Sequence, residues 1–113
     1  MQFSAVGFAD LGELFNQCRQ VSWYVAGSKL EMLDVEVYAF RAGAYAKVTD
    51  QTSFMLGTFP EGVRKHLWID LLVSCILFAL GQTHVLRNIE SKEETGLDGS
   101  EKRVILHLKR REQ

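Results

Sequence analysis

Two cysteines, one proline and an almost balanced charge exclude several protein classes for this 113-residue chain. Cys18 and Cys75 are too few for a disulfide framework or a structural zinc site, and we expect them to fill core space in a reducing compartment. With 13 basic and 14 acidic residues, the chain has no overall attraction to nucleic acid or to an anionic membrane. The length suits one domain, and no repeat or linker-like tract divides residues 1–113.

The chain also lacks a long apolar run. Its most apolar stretch is WIDLLVSCILFAL at residues 68–80, and the uncharged run from Leu71 to Leu86 has only 16 residues. A membrane-spanning helix needs about 20. No basic residue precedes the apolar stretch of the N-terminal MQFSAVGFADLGEL, which argues against a secretory signal. We therefore expect a cytoplasmic protein without a membrane span, in which residues 68–80 belong to a core helix.

The first half of the chain combines β-prone and helical patterns. Residues 2–8 predict a short strand, and apolar residues from Leu11 to Cys18 recur at helical spacing after a capping-box pattern that begins at Asp10. The β-prone VSWYVA at 21–26 ends at a Gly-Ser pair. Three strands are predicted to follow, at 32–41, 44–50 and 52–59.

The second half predicts a long helix and a hairpin. Thr58 and Glu61 have capping-box spacing, Pro60 suits a first helical turn, and Gly81 is a stop signal after Leu80. Strands are predicted at 83–90 and 103–110, with an acidic mobile loop at about 91–101 and a basic end at 109–113.

These elements predict a single α+β domain in which an antiparallel sheet packs against one long apolar helix and one short amphipathic helix. The order includes helix, three strands, helix and two strands. This order is similar to the secretion-chaperone fold of type III systems, although the usual third helix of that fold is missing.

The second predicted helix has more apolar surface than one sheet face can cover. At about 100° per residue, its apolar side chains occupy well over half of the circumference, whereas an ordinary surface helix has a narrower apolar stripe. The short first helix can cover only part of the rest. We expect a homodimer, a second protein or a ligand cavity to cover what remains.

The strands also divide into two faces, both with apolar groups. A two-residue turn at Ala42-Gly43 would put Val37 opposite Val48 on a small aliphatic face, and would put Tyr38 and Phe40 on an aromatic face. A second such turn at residues 50–51 would add Phe54 to the aromatic face. The candidate interface or ligand-binding residues on this face are Tyr38, Phe40, Tyr45, Lys47 and Phe54.

A polar stripe at i, i+4 and i+8 follows the long helix, formed by His66, Asp70 and Ser74. It is not a catalytic triad, because the carboxylate lies between the serine and the histidine, whereas a triad needs the histidine in the middle. We interpret it as a polar seam in which Asp70 bonds to His66 or to a partner chain. His84 and His107 lack short ligand spacing, so no metal ligand is assigned, and no catalytic residue or cofactor is assigned either.

Two functions fit these patterns. The first is a small cytosolic protein-interaction module, homodimeric and without catalytic activity, that binds another protein as an adaptor, inhibitor, immunity protein or chaperone-like protein. The alternative is a small-molecule-binding protein or minor enzyme with an apolar pocket between the sheet and the long helix. Nucleic-acid contact through the basic end is not expected, because the aromatic residues lie elsewhere in the chain.

Overall fold

Two helices pack on one face of a five-stranded antiparallel sheet with strand order β3-β2-β1-β5-β4. The computed structural model describes residues 7–40, 43–49, 51–94 and 101–112. Its elements are α1 (Phe8–Gly27), β1 (Met32–Phe40), β2 (Gly43–Val48), β3 (Phe54–Thr58), α2 (Lys65–Leu80), β4 (His84–Glu94) and β5 (Glu101–Arg110). The predicted α+β class is confirmed, and so is the order of helix, three strands, helix and two strands.

The small aliphatic face of the sheet lies against the helices. Val37 and Ala39 of β1 are buried there together with Ala46 and Val48 of β2, as the alternation predicts. The predicted register is wrong by two residues, because Val37 lies opposite Ala46 and not opposite Val48. The predicted turn would end the pairing at residues 41 and 44, whereas the pairing ends one residue earlier in the sequence on both strands, at Phe40 and Gly43. A shift of two residues leaves every side chain on its original face, so the faces survive the error.

Helix α1 is longer than predicted and includes the β-prone residues 21–26. Val21 and Val25 continue the helical spacing of Leu14 and Cys18, and all four side chains are buried. Helical burial on one continuous face therefore outweighs the local β propensity. The helix begins at Phe8, which removes that residue from the predicted strand at 2–8, and residues 1–6 lie outside the described residues.

Helix α2 begins seven residues after the predicted start at Thr58. Gly62 has a φ of +80°, in the left-handed region, and the backbone N–H of Val63 donates to the Pro60 carbonyl at 3.2 Å. This tight turn places Pro60 before the helix and not in its first turn. Gly81 is the C-cap, as predicted. The sequence predicted a short first helix and a long second one. The lengths are the reverse, because α1 has 20 residues and α2 has 16.

The last two strands extend into the predicted acidic loop. β4 continues to Glu94 and β5 begins at Glu101, so residues 91–94 and 101 are strand, and residues 95–100 lie outside the described residues. β3 is shorter than predicted, at Phe54–Thr58.

The longer α1 covers much of the apolar surface of α2. Trp68, Ile69, Leu72 and Ile76 have no exposed surface, and Cys75 contacts Cys18 of α1. Large apolar side chains remain exposed on α1, α2, β4 and the sheet, among them Phe8, Phe15, Trp23, Phe40, Met55, Phe78, Val85, Leu86 and Ile89. Among the described residues, no helix is long and apolar enough to cross a membrane.

Candidate functional site

The sheet face opposite the helices has no covering layer among the described residues, and we call it the open face. Its side chains alternate along each strand with the buried ones, so β1 contributes Glu36, Tyr38 and Phe40, and β2 contributes Tyr45 and Lys47. The structure therefore brings four of the five predicted interface residues, Tyr38, Phe40, Tyr45 and Lys47, to one surface.

The aromatic end of the open face is built around a pair of tyrosines. Tyr38 lies directly opposite Tyr45, and their rings stack with centroids 5.4 Å apart and planes inclined by 19°. Phe40 is the next outward residue on β1 and is 44% exposed. Met55 of β3 lies opposite Tyr45 and is also exposed. These side chains form a half-exposed apolar surface at one end of the sheet.

Phe54 does not belong to this surface, which corrects the prediction. It pairs with Ala46 on the buried face and stacks on Tyr24 of α1, with ring centroids 4.2 Å apart. The predicted turn at 50–51 includes residue 50, which lies outside the described residues. The register between β2 and β3 shifts by one residue between Ala44 and Tyr45, and the pairing continues to Ala46 and Phe54. Because side chains alternate along a strand, this shift exchanges the two faces at this end of β3 and brings Met55 outward.

Charged groups occupy the middle of the open face. Glu36 lies directly opposite Lys47, and it accepts a hydrogen bond from the Arg103 guanidinium at 3.3 Å. The aromatic end is therefore followed along β1 by paired charges and not by further apolar side chains.

His107 of β5 links three strands on this face. Its Nδ1 lies 2.6 Å from Asp34 Oδ1 on β1, and its Nε2 lies 3.1 Å from Glu90 Oε1 on β4. The hydrogen bond with Asp34 and, after it, the one with Glu90 raise the pKa of His107, because both favour the imidazolium. Both ring nitrogens are engaged, so neither is free to act as a catalytic base.

His84 and His107 lie on opposite faces and are not neighbours. His84 is buried opposite Arg110, and burial followed by the Arg110 charge lowers its pKa. Among the described residues, no three His, Cys, Asp or Glu side chains are grouped to hold a metal ion.

The polar stripe on α2 does not form the predicted seam. Asp70 accepts a hydrogen bond from Lys102 of β5, with Nζ and Oδ1 2.7 Å apart, and not from His66. The His66 Nε2 atom is buried without a hydrogen-bond partner among the described residues, and Ser74 is exposed. The three side chains therefore do not act together as a catalytic group.

The two cysteines contact each other between the helices. Burial, followed by a hydrogen bond with Cys75, raises the pKa of Cys18 to about 12. A thiol with this pKa is almost entirely protonated near neutral pH, so Cys18 is a core side chain and not a ready nucleophile.

The sequence predicts a strand at 83–90, but it did not identify β4 as an edge strand that the helices leave partly uncovered. Its inward side chains Leu86 and Ile89 are 38% and 46% exposed, because α2 packs mainly over β1 and β5. The strand has charges on both faces, such as Lys92 and Glu93. This pattern is typical of edge strands and could have identified β4 as one.

No family model matches the chain, and no curated protein or solved structure matches it either.

Proposed function

We propose that this protein is a small, non-catalytic protein-interaction module that forms a homodimer and binds another protein. The observation that carries the proposal is that the helices cover one face of the sheet only and leave the inward side chains of β4 partly exposed. A soluble protein rarely leaves apolar side chains exposed on a sheet face and on an edge strand unless they meet a partner.

We assign self-association to β4. This strand has 11 residues and lies at the end of the strand order, so one row of its backbone N–H and C=O groups has no neighbouring strand among the described residues. A second copy of β4, running antiparallel about a two-fold axis, would pair these groups and cover Leu86 and Ile89. Such edge pairing leaves the open face accessible, so binding of another protein is assigned to that face.

The alternative, a ligand pocket between the sheet and α2, has less support. Trp68, Ile69, Leu72 and Ile76 lie on the core side of α2 and are fully buried. The tryptophan and tyrosine of α1 that would line such a pocket, Trp23 and Tyr24, instead border a surface depression of about 470 Å³ with Gln51.

Sedimentation at several protein concentrations tests the dimer. We expect the wild type to sediment as a dimer and Ile89→Lys to sediment as a folded monomer, because a lysine at the centre of the edge pair would place two charges side by side. Phe15→Asp is the control, because it also places a charge at an exposed apolar side chain, here on α1, and it should keep the wild-type mass.

Circular dichroism on the same samples shows whether each variant is folded. A wild type that stays monomeric at high concentration, or a folded Ile89→Lys protein that stays dimeric, contradicts the assignment to β4. If Phe40→Asp, and not Ile89→Lys, produces the monomer, then self-association belongs to the open face.

A further inference from the structure

A row of two tyrosines and two cations crosses the open face, and we call it the tyrosine–cation row. Tyr45 lies opposite Tyr38, Tyr38 lies opposite Arg103, and Arg103 lies opposite Lys92. Neighbouring strands are about 4.8 Å apart, so the row extends for about 15 Å across β2, β1, β5 and β4. Two stacked rings are therefore followed by two positive charges, with no acidic side chain between them in the row.

Part of the positive charge in this row is not neutralised. Lys92 is exposed and has no ion pair or hydrogen bond among the described residues. The Arg103 side chain is 41% exposed, and among the described residues its ion pair is with Glu36 alone, through Nη1. Lys102 beside it is different, because it is buried between Asp70 and Glu93 and its charge is balanced. Lys92 and the free edge of Arg103 are thus available to an anionic group.

A depression at the row has the size of a side-chain pocket. Its volume is about 190 Å³, below the 300 Å³ or more that is usual for cofactor and drug-sized ligand sites. Its lining combines aromatic rings with cations and a single acid, and consists of Tyr38, Ala39, Phe40, Lys92, Glu101, Lys102 and Arg103. An anionic group beside an apolar one matches the lining and the size of this depression.

We propose that the tyrosine–cation row binds an acidic segment of a partner protein. A carboxylate of that segment hydrogen-bonds to Arg103 and Lys92, and a neighbouring apolar or aromatic side chain packs on Tyr38 and Phe40. Charge-assisted hydrogen bonds to Arg are among the stronger ones, and aromatic anchors concentrate binding energy in interfaces. This inference rests on the proposed function, because it names the kind of partner that the open face accepts.

The same face disfavours a nucleic acid. Glu36 and Glu90 lie one row away from the tyrosine–cation row on one side, Glu101 lies one row away on the other side, and Asp34 lies two rows away. A phosphate backbone repeats its charge along its length and would meet these carboxylates, whereas a polypeptide can present one or two acidic residues at the row alone. The charge pattern therefore favours an acidic peptide over a polyanion.

Fluorescence anisotropy with a short labelled peptide of alternating glutamate and phenylalanine tests the inference. We expect saturable binding to the wild type that weakens as salt rises, and no binding of the same peptide with lysine in place of glutamate. Lys92→Glu should weaken binding by about tenfold or more, and Phe40→Ala should weaken it as well. Lys29→Glu is the matched control, because it makes the same change in net charge at an exposed position between α1 and β1, and its affinity should equal that of the wild type.

Three results would overturn the inference. They are the absence of saturable binding to the wild type, an equal loss of affinity in Lys92→Glu and Lys29→Glu, and tighter binding of a single-stranded oligonucleotide that is lost in Lys92→Glu. Sedimentation of the same samples separates this inference from the proposed dimer. If the protein is a dimer but does not bind the acidic peptide, the tyrosine–cation row is not a binding site and the proposed self-association stands. If the protein is a monomer that binds the peptide, the binding site stands and the proposed self-association is wrong.

Discussion

Trp68 of α2 donates its indole N–H to the side-chain oxygen of Gln17 in α1 at 2.8 Å, and both side chains are fully buried. The amide nitrogen of Gln17 in turn donates to Glu13 at 3.2 Å. A polar residue on the core side of α1 is thus explained by the bond that it makes across the helix pair. Because a buried indole N–H must find an acceptor, this bond fixes how α1 and α2 lie against each other.

Replacing Gln17 by leucine should destabilise the fold. The substitution leaves the Trp68 N–H buried without an acceptor, which costs about 1–3 kcal/mol in the free energy of unfolding. Urea denaturation measures the change. Gln20→Leu, at an exposed position of the same helix, should stay within about 0.5 kcal/mol of the wild type. Equal stabilities of the two variants would mean that the Gln17–Trp68 bond contributes nothing.

Two glycine substitutions should have opposite effects. Gly62 has a φ of +80°, so Gly62→Ala strains the turn before α2 and should lower the free energy of unfolding by about 1 kcal/mol. Gly12 lies inside α1 with no atom within 4 Å of the position of an added Cβ, so Gly12→Ala should raise it by about 0.5–1 kcal/mol. Thermal denaturation of both variants decides the question, and a stabilised Gly62→Ala protein would contradict the left-handed turn.

The sequence predicts the faces of this fold better than its boundaries. Alternation along β1 and β2 depends only on which residues are apolar, so it places Val37 and Tyr38 on the correct faces even with the wrong register. The start of α2 depends instead on the backbone of Gly62, and a glycine after a proline and a glutamate is compatible with a helix start or with a turn.

The candidate site shows the same division. Tyr38 and Tyr45 share a face because both follow the alternation, and the sequence is sufficient to find them. Phe54 was misplaced because a one-residue shift between β2 and β3 is a property of strand pairing, which local pattern does not determine. The partner of Asp70 is equally remote, since Lys102 lies 32 residues away and meets it only when β5 joins the sheet.

Removing Asp70 and removing Lys102 from their ion pair should have different effects on the free energy of unfolding. Lys102 is buried whereas Asp70 is 59% exposed, so Asp70→Asn should cost about 1 kcal/mol, at the low end for a charged hydrogen bond because solvent screens it. Lys102→Met removes the buried charge itself and should be close to neutral, since buried ion pairs are often replaceable by apolar groups.

Urea denaturation of both single variants and of the double variant measures the coupling between the two residues. We expect the Asp70→Asn cost to disappear in the Lys102→Met background. Additive costs would show that Asp70 acts through another contact. A loss of stability in Lys102→Met larger than in Asp70→Asn would show that the ammonium is net stabilising.

His84, which is buried, and His107, which bridges three strands, should make the free energy of unfolding respond to pH in opposite directions. The pKa of His107 is raised by Asp34 and Glu90, so its contribution is fully present below the unfolded value of about 6.5 and is lost as the pH rises through the higher folded value. The pKa of His84 is lowered by burial and by Arg110, so its contribution to stability is present above 6.5 and is lost as the pH falls through the lower folded value.

Urea denaturation between about pH 5 and 8 tests both contributions. The wild type should lose stability as the pH rises above 6.5, and His107→Gln should not show this loss. The wild type should also lose stability as the pH falls below 6.5, and His84→Gln should not show that loss. A His107→Gln profile parallel to the wild type would mean that the bridge between β1, β5 and β4 does not stabilise the sheet.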